Sequence, residues 1–276
     1  MKKKKRDRHV VNFSGGKDST AMLLRMIELG MQIDDIVFAD TGAEFPELYD
    51  FIKRVEKYIG RKVTIVHPKK SFEETFWLRA GEGSKKAGQI RGFPLMVLPC
   101  WWTRDAKITP LNKANKDATH IYIGIASDEA HRQTTDKRKI GKYKYPLIEW
   151  GWTEQDCIDY LNKINLFNPL YVNFNRLGCW FCPKQSTTSL YSLWKNYPDL
   201  WKKFLAWEDL NFKETGRFIK MRISLHDIQK KFEAGKMPRN IPKYDCWKGC
   251  EGVKKAHQTM EERKLEEPDI PNFGPI

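Results

Sequence analysis

Hydrophobic residues occur along the first half of the chain in short runs that alternate with longer amphipathic stretches. The runs are rich in β-branched residues, which favours strands, and they lie at 10–13, 36–39, 63–66 and 121–125, with a fifth short strand beginning at 145–148. The stretches at 18–29 and 45–59 have helical periodicity, and each is followed by a glycine, Gly30 or Gly60. This alternation predicts an α/β fold with a parallel sheet covered by helices on both faces.

The second half of the chain has a different pattern. From Thr153 onward the periodicity is helical, and four aromatic residues have near-helical spacing: Trp194, Trp201, Phe204 and Trp207. We expect these aromatics to form the core face of packed helices, with a base-stacking platform as the alternative. Residues 79–92 have the composition of a loop, which we expect near the open edge of a site.

Length and composition indicate a globular protein. The chain has 276 residues, of which 41% are hydrophobic and 30% charged, and this excludes a disordered or collagen-like chain. No uncharged apolar run approaches the roughly 18 residues of a membrane span, and the run at 9–13 is too short for a signal sequence. We therefore expect a cytoplasmic protein with no membrane partner.

The charge balance adds a class of partner. The formal net charge is +14, and residues 1–8 alone hold six cations against one aspartate. The rest of the chain is basic as well, which favours a polyanionic partner, either a nucleotide or a nucleic acid.

Residues 14–20, which we call the phosphate loop, join the first strand to the first helix with the sequence Ser-Gly-Gly-Lys-Asp-Ser-Thr. Glycines allow a tight turn and close approach to an anion, and the helix start offers free N–H groups. The loop is not a Walker A motif, because Val11 and Asp18 stand where that motif needs glycine and Ser or Thr. An ordinary glycine turn is the alternative interpretation.

Two segments together resemble a known superfamily. Residues 14–19 match the PP-loop of the adenine-nucleotide α-hydrolases, and 40–47, Asp-Thr-Gly-Ala-Glu-Phe-Pro-Glu, resemble a segment of their phosphoadenosine phosphosulfate (PAPS) reductase branch. The resemblance covers about residues 8–190. It implies a Rossmann-like PP-loop domain, and we place the division of the chain as follows: a basic arm at 1–8, the nucleotide-binding domain at 9–165 and a helical, cysteine-containing region at 166–276.

The resemblance also implies roles for residues. The residues that it implies bind ATP, PAPS or adenosine phosphosulfate (APS) are Ser14, Gly15, Gly16, Lys17, Asp18, Ser19, Thr20, Asp40, Thr41 and Gly124. Lys17, Asp18 and Arg132 are the candidate catalytic residues, with Asp18 holding Mg²⁺ and Arg132 contacting phosphate or sulfate. From the residues alone, the alternatives are a solvated strand-end residue for Asp40 and a surface arginine for Arg132. His131 is expected to be exposed.

The cysteines are grouped in a way that suggests metal or redox chemistry. Cys179 and Cys182 form a C-x-x-C motif, Cys100 precedes two cations, and Cys246 and Cys250 follow much later. Nearby lysines and arginines are expected to lower the thiol pKa values. A further cysteine, Cys157, lies in a helical pattern and is expected to be a small buried hydrophobe.

Iron–sulfur branches of the superfamily imply a 4Fe–4S cluster on Cys100, Cys179 and Cys182, with Cys250 or Cys246 as the fourth ligand. Zinc on the same thiols, or thiols without metal, remain alternatives. The C-terminal Glu-Cys-Gly-x-His motif of PAPS reductases is not matched, because this chain has Cys246-Trp-Lys-Gly-Cys250 instead.

These features predict an ATP pyrophosphatase that adenylates a substrate for sulfur transfer, similar to sulfurtransferases of DNA phosphorothioation and to tRNA thiolases. The acceptor is then DNA or tRNA, the sulfur or electron donor a cysteine desulfurase or a thioredoxin-like protein, and a homodimer is compatible with the resemblance. A PAPS or APS reductase that uses a thiol donor, and a nucleic-acid-binding nucleotide sensor without turnover, are the alternatives.

Overall fold

The computed structural model describes residues 7–83, 85, 87–134, 140–236 and 238. Within this part of the chain, one sheet of parallel strands has the order β3-β2-β1-β4-β5. The strands are β1 (His9–Phe13), β2 (Asp35–Ala39), β3 (Thr64–Val66), β4 (His120–Ile123) and β5 (Tyr143–Lys144). The order reverses between β1 and β4, so the carboxyl ends of these two central strands border the crevice where open α/β sheets bind ligands.

Helices cover both faces of the sheet, as predicted. They are α1 (Lys17–Glu28), α2 (Pro46–Ile59), α3 (Phe72–Phe76), α4 (Thr109–Ala114), α5 (Pro146–Glu149) and α6 (Glu154–Lys163). Alternate strand residues point to opposite faces, so Val11 and Phe38 pack with α1 and α2, whereas Val10 and Val37 pack against α4. A π-helical segment (Thr103–Ile108) leads into α4, and 3₁₀ segments occupy Ser127–Arg132 and Pro169–Val172. The α/β, Rossmann-like prediction is therefore confirmed.

The C-terminal part is helical, as predicted, with α7 (Thr187–Asn196), α8 (Pro198–Thr215) and α9 (Leu225–Glu233). Trp201 and Phe204 of α8 are buried, and Trp207 packs on Phe72 and Phe76 of α3. The aromatic residues thus form a core face rather than a stacking platform, and one apolar cluster runs from the sheet into these helices. Burying each such side chain contributes about 1.5–3 kcal/mol. Within the described residues, every helix is too short or too polar to span a membrane.

The predicted strand at 145–148 is wrong. Residues Pro146–Glu149 form α5, and the strand that pairs with β4 lies just before it, with Tyr143 opposite Ile121. Proline suits the first position of a helix because it has no N–H to leave unpaired and its φ is already helical. A short apolar run such as Leu147-Ile148 does not distinguish a strand from a buried helical turn. The described part of 79–92 is a loop, as expected, closed by a bridge between Arg79 and Ile90.

Candidate nucleotide site and cysteine cluster

The phosphate loop turns tightly between β1 and α1. Gly15 has φ +69°, and a Cβ at this position would lie 2.5 Å from Leu48 Cδ1, so glycine is required on both counts. Gly16 precedes α1 with extended backbone and offers no side chain to cap it. The start of α1 therefore presents backbone N–H groups and the positive end of the helix dipole to an anion.

Hydroxyl groups hold the loop in shape from inside. Ser14 and Ser19 contact each other through their Oγ atoms at 2.8 Å, and Ser19 Oγ also donates to the Gly16 carbonyl at 3.1 Å. Thr20 is fully buried, and its Oγ1 donates to the same carbonyl at 2.8 Å. Asn168 Nδ2 donates to the Gly15 carbonyl at 2.8 Å from a buried position. These hydrogen bonds within the protein hold the loop in one conformation.

Lys17 is only 8% exposed and is held by two residues distant in sequence. Its Nζ donates to Glu154 Oε1 at 2.6 Å and lies 3.6 Å from Asp18 Oδ1. Its backbone N–H donates to the Tyr171 hydroxyl at 3.1 Å. Burial opposes the charge on Lys17, but these neighbours outweigh it and raise the lysine pKa. In the structure, the tyrosine hydroxyl occupies the first N–H group of the helix.

Three carboxylates converge beside the loop. One oxygen from each of Asp18, Glu129 and Glu154 lies within 4.8 Å of the others, the one such set of His, Cys, Asp or Glu ligand atoms in the described residues. Asp18 Oδ1 is buried without a hydrogen-bond partner there. Burial, together with Glu154 and Glu129, raises the pKa of Asp18 to about 6 although Lys17 opposes the shift. This carboxylate triad has the hard oxygen ligands of a divalent-cation site.

Arg132 lies at the outer side of the triad. Its guanidinium pairs with Glu129, and its side chain is 43% exposed. His131 is exposed, as expected. Of the basic residues that follow, Lys142 donates to the Asn115 carbonyl at 3.2 Å, while 135–139 lie outside the described residues.

Gly124, just after β4, touches the phosphate loop directly. A Cβ there would lie 2.7 Å from the Ser19 Cα and N atoms and 2.9 Å from the Asp18 carbonyl carbon. All three contacts are backbone atoms, which cannot move aside as the end of a side chain can. Glycine at 124 therefore allows β4 and the start of α1 to lie side by side at the crevice.

The segment after β2 faces the same crevice. Asp40 is 9% exposed, and its Oδ1 accepts hydrogen bonds from Gly42 N at 2.7 Å and from the Tyr49 hydroxyl at 2.8 Å. Burial and this carboxylate raise the pKa of Tyr49. Asp40 is therefore an integrated part of the loop and not a solvated strand end. The Thr41 hydroxyl donates to Glu44 Oε1 at 2.8 Å and lies 3.6 Å from Cys179 Sγ.

We call Cys100, Cys179 and Cys182 the cysteine cluster. Cys179 and Cys182 lie in a turn closed by the Cys182 N–H and the Cys179 carbonyl at 3.0 Å, and Trp180 N docks this turn on the Ala43 carbonyl at 2.9 Å. Cys100 precedes the helix that contains Lys107, and its charge acts on Cys182. The cluster thus adjoins the nucleotide side through 41–44. Cys246 and Cys250 lie outside the described residues.

The thiol pKa values differ from the expectation. Burial raises the pKa of Cys179 to about 12 although Lys107 opposes the shift, and burial and Cys100 raise that of Cys182. The expected lowering by nearby cations is wrong for these thiols because desolvation outweighs the cations. Lys107 pairs with buried Glu44 at 3.4 Å. Cys157 is fully buried, as predicted.

Sequence reasoning missed four residues of these sites: Glu129, Glu154, Tyr171 and Asn168. Glu154 is the first residue of α6 and Tyr171 belongs to the 3₁₀ segment Pro169–Val172, far along the chain from the loop they contact. Their local patterns indicate only a helix start and a turn, so no short motif marks them.

A parallel sheet with a glycine-rich loop after its first strand, facing a second loop at the strand-order reversal, defines a Rossmann-like α/β protein of the PP-loop class. Residues 8–185, more than half of the chain, match the phosphoadenosine phosphosulfate reductase domain. The chain belongs to this family.

Relatives and solved structures extend the comparison. An uncharacterized protein of Methanocaldococcus jannaschii is 30% identical over 213 residues, 73% of this chain and 41% of the relative. The adenosine 5′-phosphosulfate reductase of Staphylococcus saprophyticus is 29% identical over 177 residues, 58% of this chain and 65% of the relative. The chain thus spans less than two thirds of the length of these relatives.

Two solved structures are similar at low identity. A PAPS reductase from Candida auris in a phosphate complex has a TM-score of 0.44 and 18% identity, covering 62% of this chain and 81% of that one. A tRNA thiolase from Methanococcus maripaludis with its 4Fe–4S cluster has a TM-score of 0.41 and 17% identity, covering 75% of this chain and 73% of that one.

Proposed function

We propose that this chain binds ATP at the phosphate loop and adenylates an oxygen atom of a substrate that then accepts sulfur. The observation that carries the proposal is the carboxylate triad beside the loop. Carboxylates repel phosphates, so a phosphate site lined by Asp18, Glu129 and Glu154 requires a divalent cation between them. ATP is the nucleotide that arrives with such a cation.

Adenylation divides a difficult substitution into two steps. The substrate oxygen attacks the α-phosphorus, a P–O bond forms, and the bond to pyrophosphate breaks. The N–H groups at the start of α1 and the Lys17 ammonium stabilise the charge that moves onto pyrophosphate. Mg²⁺, held by the triad, supplies further neutralisation of the phosphate charge when it is bound.

Nucleotide binding rearranges two contacts of Lys17. The backbone N–H donates to the Tyr171 hydroxyl and the ammonium to Glu154. A phosphate oxygen is a stronger acceptor than a neutral hydroxyl, so it replaces Tyr171 at this N–H group. With Glu154 engaged by a divalent cation, the Lys17 ammonium would likewise be free to contact phosphate. The site thus passes from internal hydrogen bonds to ligand contacts without reshaping the loop.

The second step is displacement of AMP by sulfur. A thiolate or sulfide attacks the atom that bears the adenylated oxygen, a base carbon in tRNA or a backbone phosphorus in DNA, so that a C–S or P–S bond forms as the bond to AMP breaks. The position of Cys179 supports a role for its thiol in this step, because its sulfur contacts the hydroxyl of Thr41, the residue after Asp40. The sulfur source is a cysteine desulfurase, whose persulfide attacks through its outer sulfur and is then cleaved by a thiol that ends as a disulfide, or a thioredoxin-like donor. DNA or tRNA is the acceptor.

The cysteine cluster suits a 4Fe–4S cluster better than zinc. A zinc ion with Zn–S distances of about 2.3 Å brings its sulfurs within about 4 Å of one another. Among the described residues, the three thiols do not lie within 4.8 Å of each other as a set. Ligands of a cubane cluster bind different irons, which suits wider spacing, and Cys246 or Cys250 is the proposed fourth ligand.

A sulfonucleotide reductase is the second candidate, because APS reductases are relatives at 29% identity. In that case a thiol attacks the sulfur of APS or PAPS, and the nucleotide leaves as AMP or its 3′-phosphate. This reaction releases sulfite after reduction and no pyrophosphate.

The decisive experiment measures pyrophosphate from ATP and Mg²⁺, with and without bulk tRNA or DNA, and sulfite from APS and PAPS with a thiol. Asp18→Ala is expected to abolish pyrophosphate release with the fold intact. Asp50→Ala is the matched control, because Asp50 is exposed and, within the described residues, its ion pair is with exposed Lys53. Sulfite without pyrophosphate selects the reductase, and turnover that survives Asp18→Ala contradicts the loop assignment. Nucleic-acid binding without either product selects a nucleotide sensor.

The metal proposal has its own measurement. Anaerobically purified protein is expected to show broad visible absorption with about four irons per chain, and Cys179→Ala to lose both. Zinc, or no metal, in the wild-type protein contradicts the cluster and leaves the nucleotide proposal standing.

A further inference from the structure

A basic cleft lies between the 79–92 loop and the end of α8. Its volume is about 740 Å³, and its lining includes Arg79, Arg91, Arg217, Glu214, Leu78 and Thr215. Two contacts join its walls: Phe93 N donates to Asn211 Oδ1 at 2.8 Å, and a Cβ on Gly92 would lie 2.9 Å from Thr215. The cleft is therefore a fixed feature of the surface.

The sequences of the two walls are strongly basic. Residues 77–92 contain four cations against Glu82 alone, and residues 213–222 contain four against Glu214 alone. These two short segments hold a large share of the net charge of +14. Net positive charge at these segments attracts a polyanion to the cleft.

The three arginines play different parts. Arg91 pairs with Asp105 at 2.9 Å and stacks on the Trp101 ring at 4.4 Å, so it belongs to the floor. Arg79 donates one hydrogen bond to the Gly88 carbonyl at 2.7 Å and is otherwise exposed. Arg217 is exposed, and its guanidinium has no partner within the described part of the chain. Arg79 and Arg217 thus offer charge to a ligand.

Two exposed aromatic residues lie close in sequence to residues that line the cleft. Trp77, next to Leu78, is 38% exposed, and Phe212, one helical turn before Thr215, is 46% exposed. Phe212 is held flat against Phe218, with centroids 4.6 Å apart and an 11° interplanar angle. A small anion makes no favourable contact with such rings. Unpaired bases of a nucleic acid stack on them, while nearby cations contact the phosphates.

We propose that this cleft binds a single-stranded segment of nucleic acid, with phosphates on Arg79 and Arg217 and bases on Trp77 and Phe212. The floor leads to the cysteine cluster, since Trp101 follows Cys100 and Phe93 packs on Phe181 of the Cys179–Cys182 turn at 5.5 Å. That the bound strand is the sulfur acceptor rests on the proposed function. Binding itself does not.

The test is anisotropy of a labelled single strand of about 16 nucleotides, as RNA and as DNA, titrated without ATP at several salt concentrations. Arg79→Ala/Arg217→Ala is expected to weaken binding about tenfold or more and to make the log–log salt slope shallower by about 1.4. Trp77→Ala and Phe212→Ala are each expected to weaken binding about fivefold or more with the salt slope unchanged. The better-bound strand identifies RNA or DNA as the ligand.

Lys53→Ala/Lys62→Ala is the matched control, because it removes two exposed cations outside the cleft. Equal weakening by this control, equal affinity for a duplex, or aromatic variants that bind as wild type each overturn the proposal. Since no ATP is present, failure of the pyrophosphate assay leaves this result unaffected. Circular dichroism of each variant shows that the exposed substitutions have preserved the fold.

Discussion

The phosphate loop and the cysteine cluster carry opposite charge imbalances. Beside the loop, Asp18, Glu129 and Glu154 gather around Lys17, and an exposed arginine pairs with one of them. Around the cysteines, the fields of Lys107, Lys220 and Arg176 act on thiols that have one buried carboxylate, Glu44, nearby. Negative charge is in excess at the first site and positive charge at the second.

This difference indicates what each site requires. Burial raises the pKa of Asp18 and of Cys179 alike, so in both places the free protein disfavours the anion. At the loop, the divalent cation of the proposed function would relieve the penalty by pairing with the carboxylates. At the cysteines, the fixed cations favour anionic sulfur, whether thiolate or metal-bound, once it forms. Two neighbouring sites thus suit the two halves of the proposed reaction.

The largest expected effect is a loss of nucleotide affinity that leaves the cysteine cluster unchanged. Gly124→Ala forces a Cβ to 2.7 Å from Ser19 backbone atoms, so β4 and the phosphate loop must move apart. We expect affinity for ATP with Mg²⁺, measured by calorimetry, to fall about a hundredfold, or about 2.7 kcal/mol. Metal content per chain is expected to stay at the wild-type value, because the cysteines are not touched.

Gly83→Ala is the control for this change, since no atom lies within 4 Å of a Cβ there and its backbone is not in the left-handed region. Wild-type nucleotide affinity in Gly124→Ala contradicts the close approach as the reason for glycine at this position.

The loop could be predicted from sequence because its parts are contiguous. Gly15, Gly16 and Lys17 follow a β-branched run and precede a helical one, and that order alone indicates a turn that presents N–H groups. The strand at 145–148 could not be predicted correctly, because an apolar pair after a proline is compatible with either element. The predicted sheet was still correct in having a fifth strand, because the neighbouring Tyr143 pairs with β4.

The charge imbalances could not be predicted, because they depend on contacts across the fold. Glu154 meets Lys17 over 137 positions, and Tyr171 meets it over 154. The cysteine spacing was visible, yet the direction of the thiol pKa shifts was not, since it depends on burial that only packing determines. Local motifs indicate which reactive side chains a site contains, and long-range contacts determine whether those side chains are charged.

The next effect in size tests the negative excess at the loop. With a folded pKa of about 6, above its ordinary value of 3.8, Asp18 favours folding when protonated and loses that contribution as pH rises through 6. Asp18→Asn keeps the shape without the charge. We expect its free energy of unfolding, measured with urea, to exceed that of the wild-type protein by about 2 kcal/mol at pH 8. Near pH 4 the two proteins are expected to be almost equally stable, because Asp18 is then protonated in the folded state and about half protonated in the unfolded state, where its pKa is the ordinary 3.8.

Magnesium provides the internal control. Added Mg²⁺ is expected to stabilise the wild-type protein at pH 8 and to leave Asp18→Asn unchanged, because the cation has lost its buried ligand. A stability difference that is the same at pH 4 and pH 8 contradicts a raised Asp18 pKa and, with it, the charge imbalance at this site.

The smallest expected effect tests the positive excess at the cysteines. Lys107→Met removes the ammonium 3.4 Å from Glu44, whose side chain is 3% exposed, and leaves that carboxylate with the Thr41 hydroxyl. We expect a loss of about 1–2 kcal/mol in urea unfolding, since a buried charge without its partner is costly but Lys107 itself is partly exposed. The double variant Glu44→Gln/Lys107→Met should recover about half of that loss, because the unpaired charge is gone.

Lys53→Met, which breaks an exposed pair with Asp50 at 3.0 Å, should cost less than about 0.5 kcal/mol. If Lys107→Met costs no more stability than Lys53→Met, Lys107 does not balance the buried Glu44 carboxylate. Its positive charge then acts on the cysteine sulfurs alone.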